Sequence, residues 1–484
     1  MRADGISRAG RAGLLLAPGI LGLVLMTGPP DGLSVAAWRT MGVVGVMAVL
    51  WMTEAIPIPA TALLPLVLFP LLGVASLPEA AAPFAHPVIY LFLGGFLLAL
   101  GLQRWRLHER VAYWIVGCTG SGASRVLLGF MGATAFVSMW INNSATTVMM
   151  LPMAVSVAAL FRKHLPDNGR AQEGVGVALM LGVAYAASIG GMGTLIGTAP
   201  NAFMAGFMRE NYGLHIGFGQ WMLVGVPLVV VGIVLAHAIL ARVCLTDRRM
   251  EVPGLPEEVR AELAKLGRWT RGEAVVAAVF CLAATGWVTQ PLWKPWLPGL
   301  SDAGIAMAAG LVLFLIPADW RRGEFVLSAR DLRDLPYGVL ILLGGGLSMA
   351  EMVDKTGLAA WLGTWTAAWQ GLPVVLVVVL VTVGILFLTE LTSNTATTAT
   401  FLPVVASVAV GMGQAPLVLV LPAVLAASCA FMLPVGTPPN AIVFASGLVA
   451  LPQMARVGLW VNLLFAVLIP VVVLLLAERV FGGG

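Results

Sequence analysis

The sequence predicts an all-α polytopic membrane protein with about 11 transmembrane helices and two re-entrant helical hairpins, arranged as an inverted-topology repeat. Three observations carry this. First, the 484 residues are 59% apolar and only 10% charged, where a soluble domain runs about 45–50% apolar and about 25% charged. Second, most apolar runs reach the ~20 residues that cross a bilayer, without the strict alternation of a β-barrel strand. Third, three short motifs recur in the same order in the two halves of the chain.

The elements follow from the apolar runs and their Pro, Gly and charge punctuation. Runs fall near 12–27, 35–53, 57–75, 87–103, 126–161, 174–208, 217–241, 273–290, 303–318, 337–353, 373–411, 415–449 and 456–477. Arg2, Arg8 and Arg11 precede the first, but no small-residue cleavage site follows it, so it reads as an uncleaved span. Runs 126–161 and 373–411 are too long for one span, and each has a polar cluster at its centre. Runs 174–208 and 415–449 each contain Gly-Thr-Xaa-Pro-Asn, which unwinds a helix in mid-membrane.

Lys and Arg set the orientation. With a cytoplasmic N-terminus and two hairpins that return to the side they came from, 22 of the 27 basic residues fall inside. The C-terminus then lies outside, and the hairpins insert from opposite faces. Residues 243–272, with Pro253 and Pro256, form a cytoplasmic linker that includes a short amphipathic helix at 256–266. The net charge of +4 needs no nucleic-acid partner, because topology already places the basic loops. Cys118, Cys244, Cys281 and Cys429 are far apart and form no metal-binding pattern.

The repeat is read from paired motifs. Leu91–Gly95 matches Ile341–Gly345, Asn142–Thr147 matches Ser393–Thr398, and Gly197–Asn201 matches Gly436–Asn440. Interrupted segments at corresponding positions mark a transporter site near the midplane. Residues 126–161 and 174–208 hold no Asp, Glu, Lys, Arg or His, and 356–455 holds only Glu390. A site built from Asn, Ser, Thr and broken backbone suits Na⁺, and it equally suits an oxyanion at helix N-termini. Asn143 and Asn394 can serve either, having an oxygen acceptor and N–H donors. Ser138 and Thr389 lie one turn before the tips and should face them. Glu54 and Glu390 are expected to orient structure rather than carry protons. There is no HExxH motif, no paired intramembrane aspartates and no Ser/His pair at plausible positions, so an enzyme is not expected.

These residues, with Trp51–Pro57 and Leu433–Asn440, resemble the divalent anion/sodium symporter family, solute carrier family 13. The resemblance implies an elevator-type transporter for dicarboxylates, citrate or sulfate, working as a homodimer in the inner membrane with no cofactor beyond coupling sodium ions. It implies one Na⁺ at Ser138, Asn142, Asn143 and Gly197, and a second at Thr389, Thr392, Asn394 and Gly436. Substrate carboxylates would meet Asn143, Ser144, Asn394, Thr395, Thr437 and Pro438. The implied scaffold comprises 1–122 and 273–355, and the transport parts comprise 123–242 and 356–484. Two departures stand out: the first tip reads Asn-Asn-Ser where the family has Ser-Asn-Thr, and Ala199 replaces a proline. No basic side chain stands in for sodium in the hairpins or breaks. Sodium symport of a small dianion, most simply a C4-dicarboxylate such as succinate, is therefore expected over sulfate symport or sodium-independent exchange.

Overall fold

A computed structural model describes residues 7–164, 169–245, 251, 255–366 and 371–482. The first half runs α1 (Arg8–Met26), α2 (Val35–Thr53), α3 (Ile58–Thr61), α4 (Leu64–Leu71), α5 (Leu77–Ala81), α6 (Pro87–Arg104), α7 (Leu107–Gly117), α8 (Ala123–Ser138), α9 (Asn143–His164), α10 (Gly169–Gly191), α11 (Ala199–Tyr212) and α12 (Phe218–Val243). The second runs α13 (Leu255–Lys265), α14 (Arg271–Trp293), α15 (Asp302–Leu315), α16 (Tyr337–Lys355), α17 (Leu358–Thr366), α18 (Val374–Thr389), α19 (Asn394–Gly411), α20 (Leu417–Ala427), α21 (Pro438–Ala445) and α22 (Leu451–Phe481). A two-stranded ribbon, β1 (Pro317–Asp319) and β2 (Glu324–Phe325), follows α15.

Nine helices among the described residues are long and apolar enough to cross a membrane, and one of them is the α9 arm of the first hairpin. The expected span at 57–75 is not one helix. Pro57 stands at the N-cap of α3, Pro65 lies at the start of α4, and Pro70 interrupts α4. Each proline removes an N–H and clashes with the preceding turn, so the segment folds as α3 and α4. The linker helix is found as expected, at α13. Arg110 on α7 holds the linker region through Glu273 at 2.8 Å and the carbonyl of Gly267 at 3.1 Å.

Burial sorts the helices. The apolar window of α10 is 94% buried, against 22% for those of α1 and α14. The broken helix therefore forms the centre and α1 and α14 lie at the periphery. Both arms of the first hairpin, α8 and α9, pack on α10, and both arms of the second, α18 and α19, pack on α20. The halves interlock because α21 packs on α9 and α10, while α11 packs on α16, α19 and α20. The repeated glycine motif of α6 and α16 marks close approach. A Cβ at Gly345 would fall 1.9 Å from the carbonyl oxygen of Ala62, so α16 meets the α3 region without space for a methyl.

Candidate functional site

Each hairpin tip forms where a helix stops one turn short of an Asn. In the first, Ser138 Oγ lies 2.8 Å from Asn143 Oδ1 and 2.7 Å from the Ala187 carbonyl oxygen. In the second, Thr389 Oγ1 lies 2.9 Å from Asn394 Oδ1 and 2.9 Å from the Ala427 carbonyl oxygen. The correspondence extends along the following turns, where Thr147 donates to the Asn143 carbonyl and Thr398 to the Asn394 carbonyl, both at 2.8 Å. Each hydroxyl has one proton but two oxygen neighbours. With the amide oxygen turned to the hydroxyl, as it is at both tips, one short oxygen–oxygen approach in each cluster has no proton between its atoms. That is a poor arrangement for an empty core and a good one for a hard cation. Gly191 makes room for the first cluster, since a Cβ there would sit 2.5 Å from Asn143 Oδ1.

The helix breaks are stapled in the same symmetric way. Asn201 Nδ2 donates to the carbonyls of Gly191 and Thr194, at 3.1 and 2.8 Å. Asn440 Nδ2 donates to the carbonyls of Ala430 and Leu433, at 3.1 and 3.0 Å. These bonds replace helix hydrogen bonds lost in the break and fix the loops that carry Gly197 and Gly436. The second break has an additional clamp. Glu390 Oε1 accepts from the N–H of Phe431 at 2.7 Å and from Asn462 Nδ2 at 2.7 Å, and Oε2 accepts from the N–H of Leu433 at 3.1 Å. Glu390 is buried, and its carboxylate holds the break and α22 rather than orienting the hairpin, the role expected from the sequence.

Both tips and both breaks line one cavity of about 1000 Å³. Its walls include Asn142, Asn143, Ser144, Gly197, Thr392, Asn394, Thr395, Gly436, Thr437 and Pro438. Ser138 and Thr389 lie fully buried behind their tip asparagines. The twelve predicted site residues are therefore brought together, ten on the wall and two behind it. The two tips differ in one respect. Asn142 Oδ1 accepts from the Ser144 N–H at 2.7 Å and so caps α9, whereas Ser393 makes no side-chain cap to α19. The Asn-Asn-Ser variant thus occupies a helix-start donor that stays uncapped at the second tip.

The family described as the sodium:sulfate symporter transmembrane region matches residues 10–481. The chain belongs to the sodium:sulfate symporter family. It is a membrane transporter and not an enzyme. Relatives within reach of this symporter include proteins named sodium-dependent dicarboxylate transporter SdcS. The one from Staphylococcus saprophyticus is 41% identical over 97% of this chain and 92% of its own length. That from Staphylococcus aureus strain USA300 is 40% identical over the same shares. Solved structures share the fold. The YdaH transporter of Alcanivorax borkumensis gives a TM-score of 0.59 at 15% identity, covering 99% of both chains. MtrF of Neisseria gonorrhoeae gives 0.58 at 12% identity, covering 97% of this chain and 95% of its own.

Several residues of the symporter's site were not singled out in the sequence. Asn201 and Asn440 were visible as the last residues of the repeated Gly-Thr-Xaa-Pro-Asn, and their recurrence is the signal that marks them as staples. Asn462 sits inside the apolar run of α22 and carries no local signal beyond being polar there. Glu54, expected to serve structure, closes α2 and also lines the cavity with an exposed side chain.

Proposed function

We propose that this symporter couples sodium to the import of a small divalent anion, a C4-dicarboxylate such as succinate. The observation that carries the reading is the pair of proton-poor oxygen clusters, Ser138–Asn143–Ala187 and Thr389–Asn394–Ala427, set behind the two tips of one cavity. The first cluster, with Asn142 and Gly197, holds one Na⁺; the second, with Thr392 and Gly436, holds another. The dianion sits between the tips, on Asn143, Ser144, Asn394 and Thr395, with Thr437 and Pro438 at the start of α21. The names of the 41% and 40% identical relatives support both the ion and the substrate class.

Sodium comes first in this mechanism. Without it the carbonyls repel the anion and the tip asparagines are unanchored. Two sodium ions balance a dianion, and a load without net charge avoids most of the cost of carrying charge through the bilayer. The hairpins and broken helices (123–242 and 356–484) then move as an elevator against a scaffold of 1–122 and 273–355 in a homodimer. The N-terminus is cytoplasmic and the C-terminus external, which follows from the 22 of 27 basic residues on one side.

Proteoliposomes test the proposal. Radiolabelled succinate should accumulate under an inward sodium gradient and not under an inward choline gradient, with unlabelled C4-dicarboxylates competing better than sulfate. Ser138→Ala and Thr389→Ala should each raise the sodium concentration for half-maximal uptake by about tenfold, the scale of one lost cation contact of ~1.4 kcal/mol. Sodium-independent uptake that requires internal dicarboxylate would refute the coupling, and sodium-driven uptake competed by sulfate alone would refute the substrate.

A further inference from the structure

The cavity proposed to receive a dianion has a single charged residue on its wall among the described residues, and it is a carboxylate, Glu54. It lies beside Thr53, Ala55 and Ile58, near the start of α1 at Ser7 and Ala9. Its carboxylate has no hydrogen bond or ion pair among the described residues, and its side chain is exposed.

The backbone makes this placement informative. Glu54 closes α2 in the left-handed conformation, φ 45° and ψ 38°. Glycine takes that conformation freely, and a side chain disfavours it. Only one other described non-glycine residue, Arg106, has a positive φ. The surroundings hold the turn in place: the Ala55 N–H donates to the Leu50 carbonyl at 3.3 Å, and Trp51, fully buried, donates through Nε1 to the Ile58 carbonyl at 3.2 Å. A helix end that glycine would form at lower cost instead presents to the cavity a carboxylate without a partner among the described residues. Strain of this kind at a cavity wall points to use of the side chain.

We propose that Glu54 is a selectivity residue of the symporter, resting on the sodium-coupled anion reading above. Its negative charge concentrates sodium in the cavity before the anion arrives. The same charge penalises a trivalent carboxylate more than a divalent one. It sits at the end of α2, outside both hairpins and both broken helices, so it acts on whatever stands in the cavity without being part of either ion shell.

The experiment is equilibrium binding of radiolabelled succinate to the full-length protein in nanodiscs, where both faces are accessible. Sodium is titrated at constant ionic strength with choline, and citrate is the competitor. Glu54→Gln should raise the sodium concentration for half-maximal binding about threefold, as expected for one partly screened unit charge. It should also strengthen citrate relative to succinate by about threefold. Glu54→Asp should keep wild-type values. Glu54→Gly removes the charge while relaxing the backbone, so it should melt at a higher temperature than Glu54→Gln and show the same two shifts. It carries the test if the glutamine variant folds poorly. Wild-type sodium dependence and citrate selectivity in both neutral variants would overturn the role of Glu54. Sodium-independent binding by the wild-type protein would instead overturn the coupling reading on which it rests.

Discussion

Replacing Glu390 with glutamine keeps the shape of the second break and removes the charge that organises it. The carboxylate accepts from Phe431 at 2.7 Å, from Met432 at 2.9 and 3.1 Å, from Leu433 at 3.1 Å and from Asn462 Nδ2 at 2.7 Å. A glutamine oxygen in the Oε1 position can keep Phe431, Met432 and Asn462. The amide nitrogen then faces the Leu433 N–H, donor against donor. A buried donor left unpaired costs about 1–3 kcal/mol, and bonds to an ionised acceptor exceed neutral ones by about 1 kcal/mol each. The orphaned donor and three weakened bonds total about 4–6 kcal/mol, offset in part because glutamine buries no charge, so the expected loss is about 3–5 kcal/mol, large for a point change. The break also carries Gly436, where a Cβ would lie 3.2 Å from the Glu390 carbonyl oxygen, so loosening it displaces a proposed sodium ligand. Glu390→Gln should lower the melting temperature by several degrees in detergent and raise the sodium requirement. Asn462→Leu, which deletes one donor and leaves the backbone bonds, should cost less. The repeat gives a control, because Met139 stands where Glu390 would in the first half, and Met139→Leu should change neither quantity much. A Glu390→Gln protein within ~0.5 kcal/mol of wild type, with unaltered sodium dependence, would refute the clamp.

Two further outcomes follow from the geometry. Gly191→Ala places a methyl 2.5 Å from Asn143 Oδ1 and should weaken sodium-dependent uptake at least tenfold, whereas Gly345→Ala, 1.9 Å from the Ala62 carbonyl oxygen, should lower the melting temperature without a selective sodium effect; the reverse pattern would move the first ion site away from Asn143. The pKa of His86, the N-cap of α6, is held down to about 4, first by burial and then by Arg209, against the opposing pull of the Glu210 carboxylate 3.5 Å from its Nε2. It stays neutral when folded, while the unfolded imidazole takes up a proton near 6.5. Stability linked to it is therefore complete above that value and falls as pH drops towards 4. The melting temperature should decline over that interval in wild type and decline less in His86→Gln, and equal slopes would show that His86 does not contribute.

Much of this protein is set by its sequence alone, because the relevant physics is local. Continuous apolar runs leave a helical membrane protein as the fold. Asn142–Ser144 and Ser393–Thr395 interrupt runs too long for one span, and Gly-Thr-Xaa-Pro-Asn breaks two more. Ser138 and Thr389 close their helices, and the short turn that follows each brings the asparagine five residues on within reach. The tertiary structure decided what depends on residues far apart in the chain. It brings two tips and two breaks, 251 and 239 residues apart, around one cavity. It joins Asn462 to Glu390 across 72 positions and turns Asn201 and Asn440 inward as staples. It resolves the expected third span into α3 and α4, and it puts Glu54 on the cavity wall without a partner among the described residues. Hydropathy and helix breakers fix where a chain turns. Which carbonyl meets which donor across the fold is fixed only by packing, since a buried polar group must find its partner among whatever neighbours the fold supplies.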